Sequence, residues 1–262
     1  MIVVSSSCEL IAAPGKFVLK SDPYEPDWDV MNFRLTYDGP LMATQRDPVS
    51  GQKDARAPHK HDIRRKLHPQ LKQLWATHKF LREQRLHPGP RKPDAESRSI
   101  SDNSYWGDED DVVLAVPMVD VIASRYEMFG YKFVPLVRED LSLSCSIDLL
   151  FLRRDQPGAV ITSGDIDNRL KTLFDALRLP KCSNELVSKN PSDELVFQKP
   201  SDDENPFFCL LEDDSLITKI SVETDFLLDA PQPDPQDIHR VKLVVGVTIR
   251  PYIVTNFNMN FA

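Results

Sequence analysis

Glycine is scarce, with 9 in 262 residues, and cysteine is sparse and scattered. Cys8, Cys145, Cys182 and Cys209 never stand in a C-x-x-C pair, which argues against a zinc ribbon and a small disulfide framework. Neither G-x-G-x-x-G nor a Walker A loop occurs, so the two commonest nucleotide-cradling motifs are missing. No stretch approaches the roughly 20 consecutive apolar residues of a membrane helix. The opening MIVVSSSCELIAAPGK has no basic n-region and too short an apolar run for a signal peptide, so a cytoplasmic protein is expected. What is present is ordinary for a globular chain: 41% hydrophobic and 27% charged residues, enough length for a real core, and 21 prolines to punctuate it.

The formal net charge of −8 hides an asymmetry. Residues 51–93 carry twelve Lys or Arg against three carboxylates, whereas residues 181–235 carry four Lys against thirteen carboxylates. A basic segment in an acidic protein points to a localised polyanion-binding face; the plainer alternative is a solvated helix surface. Ile63, Leu67, Leu71, Leu74, Trp75 and Leu81 recur at helical spacing, with Pro69 marking the expected start of the main helix. Most of the basic residues fall off that stripe. Arg64, Arg65, Lys66, Lys72 and Lys79 are therefore the candidates for contacts to a phosphate backbone. Trp75 reads as a core residue. The pair His59-x-His61 has no cysteine nearby, so exposed or phosphate-contacting histidines are expected rather than a transition-metal site.

Elsewhere the pattern alternates between strands and helices. Residues 1–30 read as a poorly ordered or irregular leader. Residues 31–37, 112–118, 131–137, 141–152, 215–226 and 241–249 read as strands, and the run from Leu141 to Leu149 is the cleanest alternation of apolar and polar residues. Asp148 falls on the polar face of that strand. Leu170, Leu173, Phe174 and Leu177 form one apolar stripe of a helix that opens at Asp165 or Asp167 and stops at Pro180. Segments 87–110 and 181–206 read as insertions; Tyr105-Trp106 in the first is either a stacking platform or a loop folded back on the protein. The order fits a single α+β domain over 31–262, a mixed sheet with helices packed on it.

The chemistry-bearing feature is Asp165-Ile-Asp167-Asn168-Arg-Leu-Lys171, followed downstream by Asp213-Asp214. Carboxylate oxygens suit a hard divalent cation, and Mg²⁺ takes only one or two from the protein. Lys171 lies one helical turn beyond Asp167, where its ammonium can meet a phosphate. The same residues also fit plain structural roles. An aspartate at a helix start is a common cap, Asp213-Asp214 can be a solvated turn, and Lys171 with Asp175 can be an exposed pair.

The run Asp165-Ile-Asp167-Asn168-Arg-Leu-Lys171-Thr-Leu-Phe174-Asp175-Ala176-Leu177, then Asp213-Asp214-Ser-Leu-Ile217, resembles the RusA family of Holliday junction resolvases. That family has the pattern D-x-D-N-x-x-K, a helix ending D-A-L, and a downstream D-D before a strand. The resemblance covers about residues 141–226. It implies a RusA-like α+β fold, a homodimer, and Mg²⁺-dependent (or Mn²⁺-dependent) hydrolysis of four-way DNA junctions in recombination and repair. Carried over by position, it implies Asp165, Asp167 and Asp214 as metal-binding catalytic aspartates and Lys171 as a catalytic lysine. Two departures stand out: Ser163-Gly164 precede the first aspartate, and the stretch from Leu177 to Asp213 is long. Two other functions compete with the nuclease. One is a catalytically inactive nucleic-acid-binding protein of the same fold; the other is a D-x-D glycosyltransferase.

Overall fold

The computed structural model describes residues 10–13, 16–19, 31–43, 56–86, 116–154, 165–189, 194–229, 239–255 and 258–261. In chain order the elements are β1 (Leu10–Ala13), β2 (Lys16–Leu19), β3 (Asn32–Pro40), α1 (Ala57–Thr77), α2 (Lys79–Glu83), β4 (Arg85–Leu86), β5 (Val116–Pro117) and α3 (Met118–Arg125). Then follow β6 (Glu127–Met128), β7 (Tyr131–Val137), β8 (Leu143–Arg153), α4 (Asp165–Leu177), β9 (Val187–Lys189), β10 (Leu195–Phe197), β11 (Phe207–Leu211), β12 (Ile217–Phe226) and β13 (Arg240–Pro251). The chain is mixed α+β, as its patterning implies.

The main sheet has the strand order β12-β8-β13-β3. β12 runs parallel to β8, with Ile217 opposite Cys145 and Phe226 opposite Arg153. β13 is antiparallel to both β8 and β3. Parallel neighbours need a crossover, and here α4 and β11 lie on that connection. One face of the sheet is dry: Leu35, Tyr37, Ile147, Leu149, Phe151, Leu243, Val245 and Val247 are all buried. The alternation is strict along β13, where every odd position from Val241 to Ile249 is buried and its even neighbours are half-exposed. That is the period of two that places one face on a core.

A second sheet has the order β11-β7-β6, with β11 parallel to β7. α1 packs on it and on β3, and sends Ile63, Leu67, Leu71 and Trp75 into the shared core.

α1 starts well before Pro69 and carries that proline in its interior. Pro58 sits in its first turn, where a missing N–H costs nothing. The expectation of a helix beginning at Pro69 is thus corrected. An interior proline costs about 3 kcal/mol, and each of the four side chains on the buried stripe contributes about 1.5–3 kcal/mol. Residues 116–118 also differ from expectation. Only Val116–Pro117 is strand, and Met118 opens α3, whose Val121 and Ile122 turn inward behind the first-turn acid Asp120. Residues 112–115 and the 87–110 insertion, with Tyr105 and Trp106, lie outside the described residues. Of the segment read as an irregular leader, β1 and β2 form an antiparallel hairpin.

The described residues of the acidic segment 181–206 are not wholly irregular. β9 and β10 pair as a hairpin, and a short 3-10 turn at Asp202–Glu204 is closed by a capping box between Ser201 and Glu204. Its acids have structural work, described below. β8 and β13 are interior strands of the sheet, paired on both sides. Among the described residues no helix is long and apolar enough to cross a membrane.

Candidate functional site

α4 begins at Asp165, as expected, and buries Ile166, Leu173, Ala176 and Leu177. Leu170 and Phe174 lie partly buried against the same core. This fixes the helix rotation, and it leaves Asp167 and Lys171 exposed. Four residues apart, they share one face with Cβ atoms about 5–6 Å apart. Asp167 Oδ1 accepts the Asn168 N–H at 2.9 Å, which orients the carboxylate beside the helix start. The side chain of Asp165 lies outside the described residues. Asp167 is therefore an exposed hard-oxygen donor with an ammonium one turn away, at the positive end of a helix macrodipole.

Asp214 is placed differently. It opens a 3-10 turn ahead of β12, and its Oδ1 lies 3.6 Å from Lys181 Nζ and 4.0 Å from Arg178 Nε. Both cations follow the C-terminal end of α4. Asp167 and Arg178 stand about 16 Å apart along the helix axis, and the turn that carries Asp214 packs against α4. The neighbour Asp213 is more firmly held: its Oδ1 accepts the Ser215 N–H at 3.0 Å, and Lys181 Nζ is 3.2 Å from its Oδ2. The Ser215 backbone and hydroxyl, then Lys181, draw the Asp213 carboxyl down to about 2. Among the described residues no three His, Cys, Asp or Glu side chains converge as a metal cluster.

The basic helix α1 is largely spent on the protein itself. Arg64, expected to face a phosphate backbone, is buried at 1% exposure. Its Nη2 donates to Asp175 O at 2.9 Å and stands 3.5 Å from Glu185 Oε2, and its Nε donates to Arg178 O at 3.3 Å. Lys60 Nζ sits 2.7 Å from Asp175 Oδ2, and Arg178 Nη2 bridges Asp175 and Glu185 at 3.1 and 3.2 Å. This is a buried network of three cations and two carboxylates joining α1, α4 and the acidic segment. The Asp175 of the D-A-L run thus has a structural role, pairing with Lys60 and Arg178 rather than with Lys171.

Arg65 pairs with Glu204, and the Lys72 ammonium donates to Asp203 O at 3.1 Å. The acidic segment therefore lies along α1 and neutralises part of its charge. A guanidinium already paired with a carboxylate, as in Arg65, has less net charge to offer a nucleic acid than a lysine that meets only a backbone carbonyl. Lys66 donates to Asp38 O at 2.9 Å and sits 5.1 Å from the Tyr37 ring centroid. Of the five candidates, Lys66, Lys72 and Lys79 remain exposed.

The histidines of α1 are interior. His59 Nε2 accepts the Met42 N–H at 3.2 Å, and burial pushes its imidazole down to about 4. His68 Nδ1 accepts the Phe208 N–H at 2.9 Å. His61 is fully buried, 6.1 Å from the Tyr131 ring and 6.2 Å from that of Phe207. Burial takes it down to about 3. None of the three is placed to serve as a phosphate contact. Trp75 is buried at 3%, the core role its spacing implies.

One feature had no strong sequence signal. The outer face of the main sheet is a concavity of about 710 Å³, lined by Asn32, Arg34, Asp148, Ser221, Glu223 and Thr248. Strand register puts Ser221, Asp148, Gly246 and Arg34 in one row across the four strands. Asp148 thus faces outward from the sheet. The signal available was the alternation of β8, which fixes its polar face; the pairing that assembles the row is long-range and cannot be read locally.

No known protein family, curated protein or solved structure matches this chain.

Proposed function

We propose that the chain is a Mg²⁺-dependent endodeoxyribonuclease acting on branched DNA, with the four-way junction as its substrate. The observation that carries this reading is the Asp165–Lys171 run at the start of α4. It presents an exposed carboxylate at Asp167 and an exposed ammonium at Lys171 on one helix face. In the RusA pattern, these positions serve metal binding and catalysis.

The donor set fits a hard cation. Asp167 offers carboxylate oxygens at an exposed helix start, and Asp165 adds a second carboxylate two residues earlier, in keeping with the one or two that Mg²⁺ takes from protein. Bound there, Mg²⁺ would supply Lewis acidity and an activated water. Lys171 would hold a non-bridging phosphate oxygen and stabilise the charge that develops on it. The pattern's third aspartate, Asp214, sits on the turn that packs against α4, with Lys181 Nζ 3.6 Å from its Oδ1, and would add a third carboxylate to the set. Lys66, Lys72 and Lys79 would supply backbone contacts. A homodimer would present two such sites for paired nicks in opposed strands.

The test is incubation of the protein with four-way junction, fork and linear duplex DNA in Mg²⁺, Mn²⁺ or EDTA. Junction nicking in metal, absent in EDTA, is the expected result. Junction binding without cleavage in either metal would instead identify an inactive nucleic-acid-binding protein.

A further inference from the structure

The main sheet has two edges, and the fold treats them differently. The β3 edge is occupied. Gln70 of α1 accepts the Thr36 N–H at 2.9 Å and donates to Thr36 O at 2.7 Å, and Lys66 takes Asp38 O. The β12 edge carries no strand on its outer side among the described residues. It is ten residues long, whereas natural sheets keep bare edges short or blunted. Ile220 and Phe226, on the core-facing side of β12, are 47% and 46% exposed. Lys219, Ser221 and Glu223 point to the other side and bind no described side chain.

We propose that β12 pairs antiparallel with β12 of a second copy of this chain, about a two-fold axis through Ser221. That register is self-complementary. Lys219 of each copy stands opposite Glu223 of the other, and Ile220 stands opposite Val222. Thr218 meets Thr224, and Ser221 meets itself. Opposite charges, apolar pairs and threonine pairs directly across an antiparallel ladder each stabilise it. A slip by one residue joins the core-facing side of one copy to the outer side of the other. A slip by two, toward the C-terminus, sets Glu223 against Ser221 and leaves Ile220 against Thr224. The two four-stranded sheets would become one eight-stranded sheet, with their outer concavities in line. This inference does not rest on the nuclease reading.

Sedimentation velocity on the full chain at micromolar concentration tests it. Wild type should run at twice the monomer mass. Lys219→Glu places two carboxylates face to face, and Glu223→Lys places two ammoniums face to face; each should weaken self-association at least tenfold. Mixing these two variants should restore dimers, because every cross-strand pair is then of opposite sign. Both positions are exposed, so the melting temperature of each variant's monomer serves as the check on folding. Ser221→Cys should form an intermolecular disulfide under mild oxidation, since directly opposed Cα atoms at about 4.5–5.5 Å fall within disulfide reach. A monomeric wild type would overturn the proposal, as would a dimer insensitive to Glu223→Lys, or one in which Ser221→Cys fails to cross-link. A strand from another protein on this edge would leave the isolated chain monomeric, which is the same overturning result.

Discussion

Arg65 holds Glu204 through two nitrogens, Nε at 2.6 Å from Oε1 and Nη2 at 3.0 Å from Oε2. Glu204 in turn accepts the Ser201 N–H at 3.0 Å. Burial alone would raise the Glu204 carboxyl; the Ser201 N–H and the Arg65 guanidinium outweigh it and hold the group below its usual value. The acidic segment is thereby locked to α1 by its most buried acid.

Glu204→Ala should therefore destabilise the fold by about 2 kcal/mol, because a half-buried guanidinium is left unpaired. The same change should free Arg65 and tighten binding to any DNA. A chemical-denaturation curve and a binding titration on linear duplex measure the two effects. Unchanged stability would show that the pair is held by packing alone. The sign matters for pH. Because the folded carboxyl is depressed, its contribution is complete above the unfolded value near 4.5 and is lost as pH falls below it.

His61 should give an acid sensitivity of its own. It is buried among aromatic rings with no partner for either ring nitrogen among the described residues. With the folded value near 3 and the unfolded value near 6.5, the unfolded chain binds the extra proton. Stability is full above pH 6.5 and falls as pH drops below it, by up to about 1.4 kcal/mol per pH unit from this group. His61→Phe should flatten that slope between pH 6.5 and 4, and should stabilise the protein at pH 7 by about 1 kcal/mol. Melting curves across that range decide it; a variant as acid-labile as wild type would assign the sensitivity elsewhere.

Asp167→Asn should lower metal-dependent junction cleavage at least 100-fold while leaving junction affinity and melting temperature close to wild type. The side chain is exposed, and its hydrogen bond from Asn168 N can be kept by the amide oxygen. Single-turnover cleavage in Mg²⁺ is the readout, and full activity would remove α4 from the mechanism.

Lys72→Ala with Lys79→Ala should weaken binding to all DNAs and reduce the salt slope by about 2, one per lost phosphate contact. Arg64→Met should behave differently. It leaves Asp175 and Glu185 under-neutralised in the interior and should cost about 3–5 kcal/mol of stability. Titrations at several salt concentrations separate a binding lysine from a structural arginine.

Much of the fold was legible because its signals are local. The alternation in β8 and β13 and the stripe Leu170–Leu177 in α4 are periodicities of two and 3.6, and each element formed within a few residues of its expected span. Pro69 misled because proline is a local breaker, whereas the burial of Ile63 through Trp75 is a tertiary gain that overrides it. The basic residues of α1 misled for the converse reason. Nothing near Arg64 in sequence announces Asp175 or Glu185, more than a hundred residues away. Charge counted along a chain does not reveal which charges the fold has already paired. The Asp165–Lys171 run was visible as a motif, but where Asp214 stands beside it depends on the long-range packing of its turn against α4, which no local pattern announces.

The contact between Gln70 and Thr36 covers one edge of the main sheet, which bears on the proposed assembly. An open sheet with two bare edges can add copies at both ends and grow without limit into a fibre. Here a carboxamide has taken the place of a neighbouring strand at one end, and the other is the edge proposed above to accept a copy. Pairing through that end about a two-fold axis consumes both accepting surfaces at once. In the proposed pairing, growth would therefore stop at two chains. Gln70→Ala, by uncovering the Thr36 backbone, would be expected to reopen the second end and turn a closed pair into a polymerising unit.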